Sequence, residues 1–287
     1  MLTGTMKQTQ GNKKSGHQHV FLLALTGLLI LRIPFSAGMR FFNIQWGWED
    51  TVYQIGTYLL TTFLIWWELG NIADYHIDTL AVIIILLLKT IQTLSAMLFG
   101  YGRYFLPFPG IPSLMIWLIA IVCTVAIWKK RSKFPGIKSN DIGWLLIGMI
   151  VGLLTMIVLS YPMSFQVREG TDRGNLLGTS LYFVYQIGQA AISEEPLFRG
   201  FLWGYLRKMK WRELWIWLFQ AGLFTFSHIY YLNTYPISLW IVVPVIALVL
   251  GWLVWRSRTI TSSMVAHGMM NAIGNILGYM MYLYRLG

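Results

Sequence analysis

Acidic residues are scarce in this chain. Eleven Asp and Glu stand against 22 Lys and Arg in 287 residues, and charged residues of both signs make up only 11%. Soluble domains carry about 25%, so the scarcity excludes an ordinary water-soluble fold. Cysteine is rarer still: a lone Cys123, inside an apolar run, excludes an internal disulfide framework and a Cys-rich metal centre. Also missing are an internal repeat, a low-complexity tract and the His-Glu-x-x-His helix of many metalloproteases. No small-residue cleavage site follows the first apolar run, which therefore reads as a retained helix behind a polar tail over residues 1–19. Strict apolar-polar alternation is lacking too, which argues against a β-barrel.

What is present is 56% hydrophobic residues, gathered in continuous blocks. The blocks run to roughly 17–25 residues, the length that crosses a bilayer as helix. They predict an all-α, polytopic transmembrane bundle of eight to nine helices. Candidate segments are 20–36, 52–69, 79–100, 113–128, 143–161, 177–206, 214–232, 237–255 and 263–284. One membrane domain over 20–287, with a chemical core at about 177–284, is the simplest division. The net charge of +11 does not point to nucleic acid, because the basic residues fall between the apolar blocks. With the N-terminus in the cytoplasm, fifteen Lys and Arg flank cytoplasmic ends, chiefly around 129–138, 199–212 and 256–258, and five flank outer ends. Cytoplasmic loops carry such an excess. Trp66, Trp67, Trp128, Trp144, Trp211, Trp215, Trp252 and Trp255 cluster near segment ends, as an interfacial belt does.

Against this background, Ser193-Glu-Glu-Pro-Leu-Phe-Arg199 stands out. Ionised groups at membrane depth are expensive and mark function or a buried ion pair. Residues four apart share a helix face, so Glu195 neighbours Arg199, and Glu194 points about 100° away. This assigns Glu195 and Arg199 as the supporting pair and Glu194 as the reactive carboxylate. The next segment offers His228, in Phe224-x-x-x-His228, and the last offers His267-x-x-x-Asn271. Counted from the nearest basic residue of the cytoplasmic end, Glu194, His228 and Asn271 lie roughly 20–24 Å deep and His267 roughly 14 Å. Taken singly, each group reads as a packing residue or an interhelical contact. Together, at similar depth in successive helices, they predict one buried cluster. His76 with Glu68, Asp74 and Asp78 reads as a loop of ordinary acidic composition. Arg32 and Lys89 read as snorkelling or paired side chains.

A Glu–His pair can activate water, and a second His with an Asn can donate to a developing oxyanion. Together they suit hydrolysis of an amide bond without a Ser or Cys nucleophile. A zinc site on Glu194, His228 and His267 with an open position is the alternative for the same residues. The ordered set Glu194-Glu195-x-x-x-Arg199, Phe224-x-x-x-His228 and His267-x-x-x-Asn271 resembles the CPBP (Abi) family, which includes the type II CAAX prenyl endopeptidases and bacteriocin-processing enzymes. The resemblance covers about 80 residues, and the first 140 add only compatible hydropathy. It implies an intramembrane glutamate protease with a cavity open to the cytosol. Glu194 and His228 would activate water, His267 and Asn271 would form the oxyanion hole, and Glu195 and Arg199 would support the site. No cofactor is required on this reading. The expected partners are a peptide or lipidated protein substrate and membrane lipids, with no nucleic acid. The expected setting is a bacterial plasma membrane. A non-catalytic immunity or partner-binding protein of the same fold is the other reading.

Overall fold

A computed structural model describes residues 22–23, 25–27, 49–88, 111–130, 132, 134, 136–137, 139–167, 187 and 192–286. The polar tail, most of the first predicted segment, residues 89–100 and most of 177–191 lie outside the described residues, as do Arg32 and Lys89. The rest is helical, with no strand among the described residues. In chain order the helices are α1 (Glu49–Trp67), a short 3-10 strap (Leu69–Tyr75), α2 (Thr79–Leu88), α3 (Ile111–Trp128) and α4 (Ser139–Ser164). They continue with α5 (Ile192–Glu195, Pro196–Leu202 and Trp203–Lys208), α6 (Glu213–Ser227), α7 (Ser238–Ser257) and α8 (Ile260–Leu286).

The helices answer to a lipid solvent. Along α4 the outward stripe is Ile142, Leu146, Ile150, Leu154 and Val158, between 53% and 72% exposed at 142, 146, 150 and 158. In water such a stripe would be an aggregation site; in hydrocarbon it is the solvated face. The opposite face of α4 is where the small residues sit. A Cβ on Gly148 would collide with the carbonyl of Ser262, and one on Gly152 would lie 2.7 Å from the carbonyl oxygen of Ala266. Without side chains there, α4 and α8 approach to backbone contact, the usual way membrane helices pair when apolar burial gives no drive. The register continues outward, with Met156 and Met163 against Gly274, and Met163 against Gly278. The two helices therefore run parallel, and α4 fixes the helix that bears His267 and Asn271.

Within α4, residues Asn140–Ser164, and in α7 residues Ser238–Ser257, are each long and apolar enough to cross a membrane. The strap meets α2 at 107°, so it lies across the end of the bundle and not along it. It is tied to the basic ends of α5, α7 and α8. Arg207 Nη2 donates to the carbonyl of Asp74 at 2.7 Å, Lys208 Nζ donates to Tyr75 Oη at 2.7 Å, and the Ile260 amide donates to the His76 carbonyl at 2.8 Å. Glu213, at the start of α6, pairs with Arg258 at 3.1 Å and Arg207 at 3.9 Å. Lys130 lies 4.1 Å over the Trp66 ring. The strap carries no Lys or Arg of its own, yet it shares one end of the bundle with the basic loops.

His76 is closed into this end, 2% exposed, with Nε2 2.9 Å from Arg207 Nη2. Burial, with Arg207 and Arg258 nearby, holds it down to about 3, a neutral ring that accepts from the guanidinium. Asp78 accepts from Thr261 Oγ1 at 2.7 Å and the Ala81 amide at 2.6 Å. These acidic and imidazole groups thus serve as ties between helices.

Candidate active site

The Glu pair sits where α5 changes register. Pro196 has no N–H to give to the carbonyl of Ile192, so one α-helical hydrogen bond is missing at this point. The chain answers with a π-helical stretch, Pro196–Leu202, with ordinary helical angles at Glu195 (φ −59°, ψ −47°) and at Trp203 (φ −58°, ψ −50°). Such stretches are rare and concentrate at functional sites.

Glu195 and Arg199 are both fully buried, and Arg199 Nη1 donates to Glu195 Oε1 at 3.0 Å. The same oxygen receives His267 Nδ1 at 2.8 Å. The second nitrogen of that imidazole, Nε2, lies 3.7 Å from Glu194 Oε2. His267 is therefore held between the two carboxylates, a contact that helical spacing within α5 could not disclose. Because a carboxylate only accepts, Nδ1 carries a proton, and the ring presents Nε2 toward Glu194.

His228 ends α6 with non-helical angles (φ −100°, ψ 15°). Its Nδ1 is 2.9 Å from the Phe224 carbonyl, and Ser227 Oγ donates to that same carbonyl at 2.7 Å. A carbonyl cannot donate, so Nδ1 of His228 is the protonated nitrogen and Nε2 is the basic one in the neutral ring. Ser227 spends its hydroxyl proton on the backbone.

Phe224 joins the three motifs. Arg199 lies over its ring at 4.2 Å, His228 lies tilted beside it with centroids 4.6 Å apart, and His267 meets it edge-on at 5.9 Å. A buried ring with a cation on its face and imidazoles at its sides fixes all three side chains at once. Sequence reading placed Phe224 in a motif without a role; its spacing to His228 was the available signal.

A cavity of about 430 Å³ opens from this cluster. His228, His267 and Asn271 border it, so the structure brings these three predicted residues to one space. Its apolar wall includes Met156, Met163, Met270, Val242 and Ile246, and Gly274 and Gly278 floor it along α8. At its rim Gln166 Nε2 donates to Ser238 Oγ at 2.9 Å while the Ser238 amide donates to Gln166 Oε1 at 3.1 Å. Neither residue was singled out from the sequence, where an uncharged Gln and Ser at segment ends carry no signal. Glu194 reaches the site through His267 and is 6% exposed. Among the described residues no three His, Cys, Asp or Glu side chains are grouped to hold a metal ion.

Residues 176–273 match the family model described as type II CAAX prenyl endopeptidase Rce1-like. The matched stretch contains all three motifs, from Glu194 to Asn271, so the resemblance read from them is shown for this part of the chain. It is similarity to a protease family, carried by a chain whose apolar helices mark a membrane protein. No curated protein and no solved structure matches the chain.

Proposed function

We propose that the chain is an intramembrane endopeptidase that hydrolyses a peptide bond of a membrane-associated or lipidated peptide or protein. The observation that carries this reading is the His267 ring, held by two carboxylates and facing a cavity that it shares with His228 and Asn271. Glu194 and His228 activate a water, whose oxygen attacks the carbonyl carbon while its proton passes to the base. Glu194 is favoured over Glu195 as that base, since Glu195 Oε1 is already engaged by Arg199 and His267.

The oxyanion is stabilised by the Asn271 amide and by His267. With Nδ1–H given to Glu195, His267 Nε2 donates only when the ring carries both protons; Glu194 and Glu195 are the counter-charges placed for that state. Collapse of the tetrahedral intermediate breaks the C–N bond, and the proton held by the base leaves with the amine. Arg199 and Glu195 position the machinery and touch no substrate. No metal takes part in these steps. In a bacterial plasma membrane, the basic loops put the strap end of the bundle at the cytoplasmic face.

Comparative peptidomics of membranes containing the wild type or Glu194→Ala tests the proposal. Peptides generated only by the wild type are the expected result and also reveal the substrate. Identical peptide sets, or cleavage that survives Glu194→Gln, would refute it, and a phenotype kept by both variants would identify a partner-binding protein.

A further inference from the structure

The corner where α5, α6 and α7 meet carries basic side chains that no described acid neutralises. Lys210, Arg212 and Arg256 are exposed, and none of them pairs with a carboxylate among the described residues. The acids nearby are already engaged. Asp74 pairs with Lys208 at 3.6 Å, Glu213 Oε1 holds Arg207 and Arg258, and Glu213 Oε2 accepts from Trp203 Nε1 at 2.6 Å. Lys210 also stands in the left-handed region, at φ 63°. Glycine is the usual occupant of such a position just past a helix end, because a side chain is strained there. A bias of Lys and Arg toward one side of the membrane accounts for basic loops, but not for a lysine in place of a glycine.

Below these cations the surface of both helices changes character in the same order. On α6 the exposed face passes from Arg212 through Trp211 and Trp215 to Leu218 and Phe219. On α7, read back from its C-terminal end, it passes from Arg256 through Trp252 to Val245. The fall from cation to aliphatic surface on α6 takes roughly 10 Å of helix. The two helices run antiparallel and are pinned together. Glu213 meets Arg258 at one level, and deeper Trp217 Nε1 donates to the Leu248 carbonyl at 2.9 Å. A Cβ on Gly251 would meet Gln220 and Trp217, so α7 is notched where α6 rests on it. From that contact, the exposed residues follow in the same rotational sense on each helix. In an antiparallel pair this turns both faces to one side, where they form a single surface.

We propose that this corner binds an anionic phospholipid. Its phosphate sits on Lys210, Arg212 and Arg256, its glycerol region lies against Trp211, Trp215 and Trp252, and an acyl chain follows the aliphatic surface of α6 and α7. The fit is one of layering as well as charge. Tryptophan favours the level of the headgroups, and clustered basic residues attract anionic lipid. An acidic segment of a soluble partner would satisfy the three cations and leave the aliphatic rows beneath the rings uncovered. A zwitterionic headgroup brings an ammonium group that the cations repel. The site lies on the outer surface of the bundle, apart from the cavity, and does not depend on the protease reading.

Native mass spectrometry of the full-length protein in a neutral detergent tests it, with phosphatidylglycerol and phosphatidylcholine as probes. The wild type should retain phosphatidylglycerol in preference to phosphatidylcholine. Removal of one cation should weaken phosphatidylglycerol binding about 5-fold, and Lys210→Gln/Arg212→Gln/Arg256→Gln should weaken it about 100-fold, the attraction expected of one and of three basic side chains at an anionic surface. Lys210→Gly separates binding from folding. It should raise the unfolding temperature of the lipid-free protein by relieving the left-handed strain, and still lower the affinity for phosphatidylglycerol. Lys129→Gln removes an exposed cation at the end of α3, outside the corner, and should leave binding unchanged. Equal retention of the two lipids, full affinity in the triple variant or in Lys210→Gly, or an equal loss in Lys129→Gln and Arg212→Gln overturns the proposal. Displacement of phosphatidylglycerol by millimolar inorganic phosphate would make the corner a phosphate site and overturn the lipid assignment.

Discussion

Replacing one carboxylate of the Glu pair should destabilise the protein, and replacing the other should silence it. Arg199 is fully buried, its only ion-pair oxygen at hydrogen-bond distance is Glu195 Oε1, and its Nε and Nη2 have no hydrogen-bond partner among the described residues. Glu195→Gln keeps the shape but leaves that guanidinium leaning on the face of Phe224 at 4.2 Å. Breaking a buried pair from one side costs about 3–5 kcal/mol, and the cation–π contact does not offset it, since it is present in the wild type as well. Glu194→Gln keeps the Glu195–Arg199 pair and alters the longer 3.7 Å contact with His267, so its stability should fall by less than that of Glu195→Gln, by about 1 kcal/mol, the scale of one net hydrogen bond. Its catalysis should fall by about 10²–10⁴, the usual contribution of a general base. Reversible unfolding in mixed micelles measures the first quantity, and cleavage of a peptide found by peptidomics measures the second. The double variant Glu195→Gln/Arg199→Met removes both charges and should recover most of the lost stability. A stable, inactive Glu195→Gln with an unstable Glu194→Gln would reverse the assignment of the two residues. Failure of the double variant to recover stability would refute the ion-pair argument itself.

Asn271→Ala should lower kcat by about 10²–10³, as loss of one oxyanion donor does, with the unfolding transition unmoved; an equal fall in stability would make Asn271 a helix contact. Gly148→Leu forces a side chain into the backbone of Ser262, and the overpacking should cost about 1–3 kcal/mol and displace His267 and Asn271, so stability and cleavage should fall together. His76 titrates at 6.5 when unfolded and about 3 when folded. The unfolded chain therefore binds the extra proton between those values. Stability should rise with pH across that window by up to about 1.4 kcal/mol per pH unit and level off above 6.5; His76→Gln should flatten this slope. Dialysis against a chelator should leave cleavage intact, and loss restored by zinc would revive the Glu194, His228 and His267 ligand set.

Periodicity and composition made the helical membrane architecture legible, and spacing made two contacts legible: Glu195 with Arg199, and His267 on the face that bears Asn271. Local spacing also sufficed to suspect Glu194, His228 and His267 of meeting, since depth along a helix is additive. Contacts across helices were not legible. Nothing within α5 or α8 alone says that His267 Nδ1 chooses Glu195, because that depends on rotation of one helix against another. Gly148 and Gly152 looked like ordinary glycines in a hydrophobic run until Ser262 and Ala266 were placed against them. The strap at Leu69–Tyr75 was hidden for a different reason: held by hydrogen bonds to neighbouring basic side chains, it shows neither a long apolar block nor a charge bias. The Gln166–Ser238 rim was hidden because neutral polar residues at segment ends are common.

The π-helical stretch at Pro196–Leu202 makes α5 a helix with one residue to spare. A bond that closes on the fifth residue instead of the fourth stores a surplus amino acid inside an otherwise regular rod. Upstream and downstream halves are thereby set about 100° out of the frame they would share in an α-helix. The downstream half is locked by Trp203 Nε1, which donates to Glu213 Oε2 at 2.6 Å, and by Arg207 under the strap. A single-residue deletion within the stretch would let the rod heal into plain α-helix and still fold against these anchors. It would turn Glu194 and Glu195 away from His267. In this segment, the number of residues and the aim of the carboxylates are one variable.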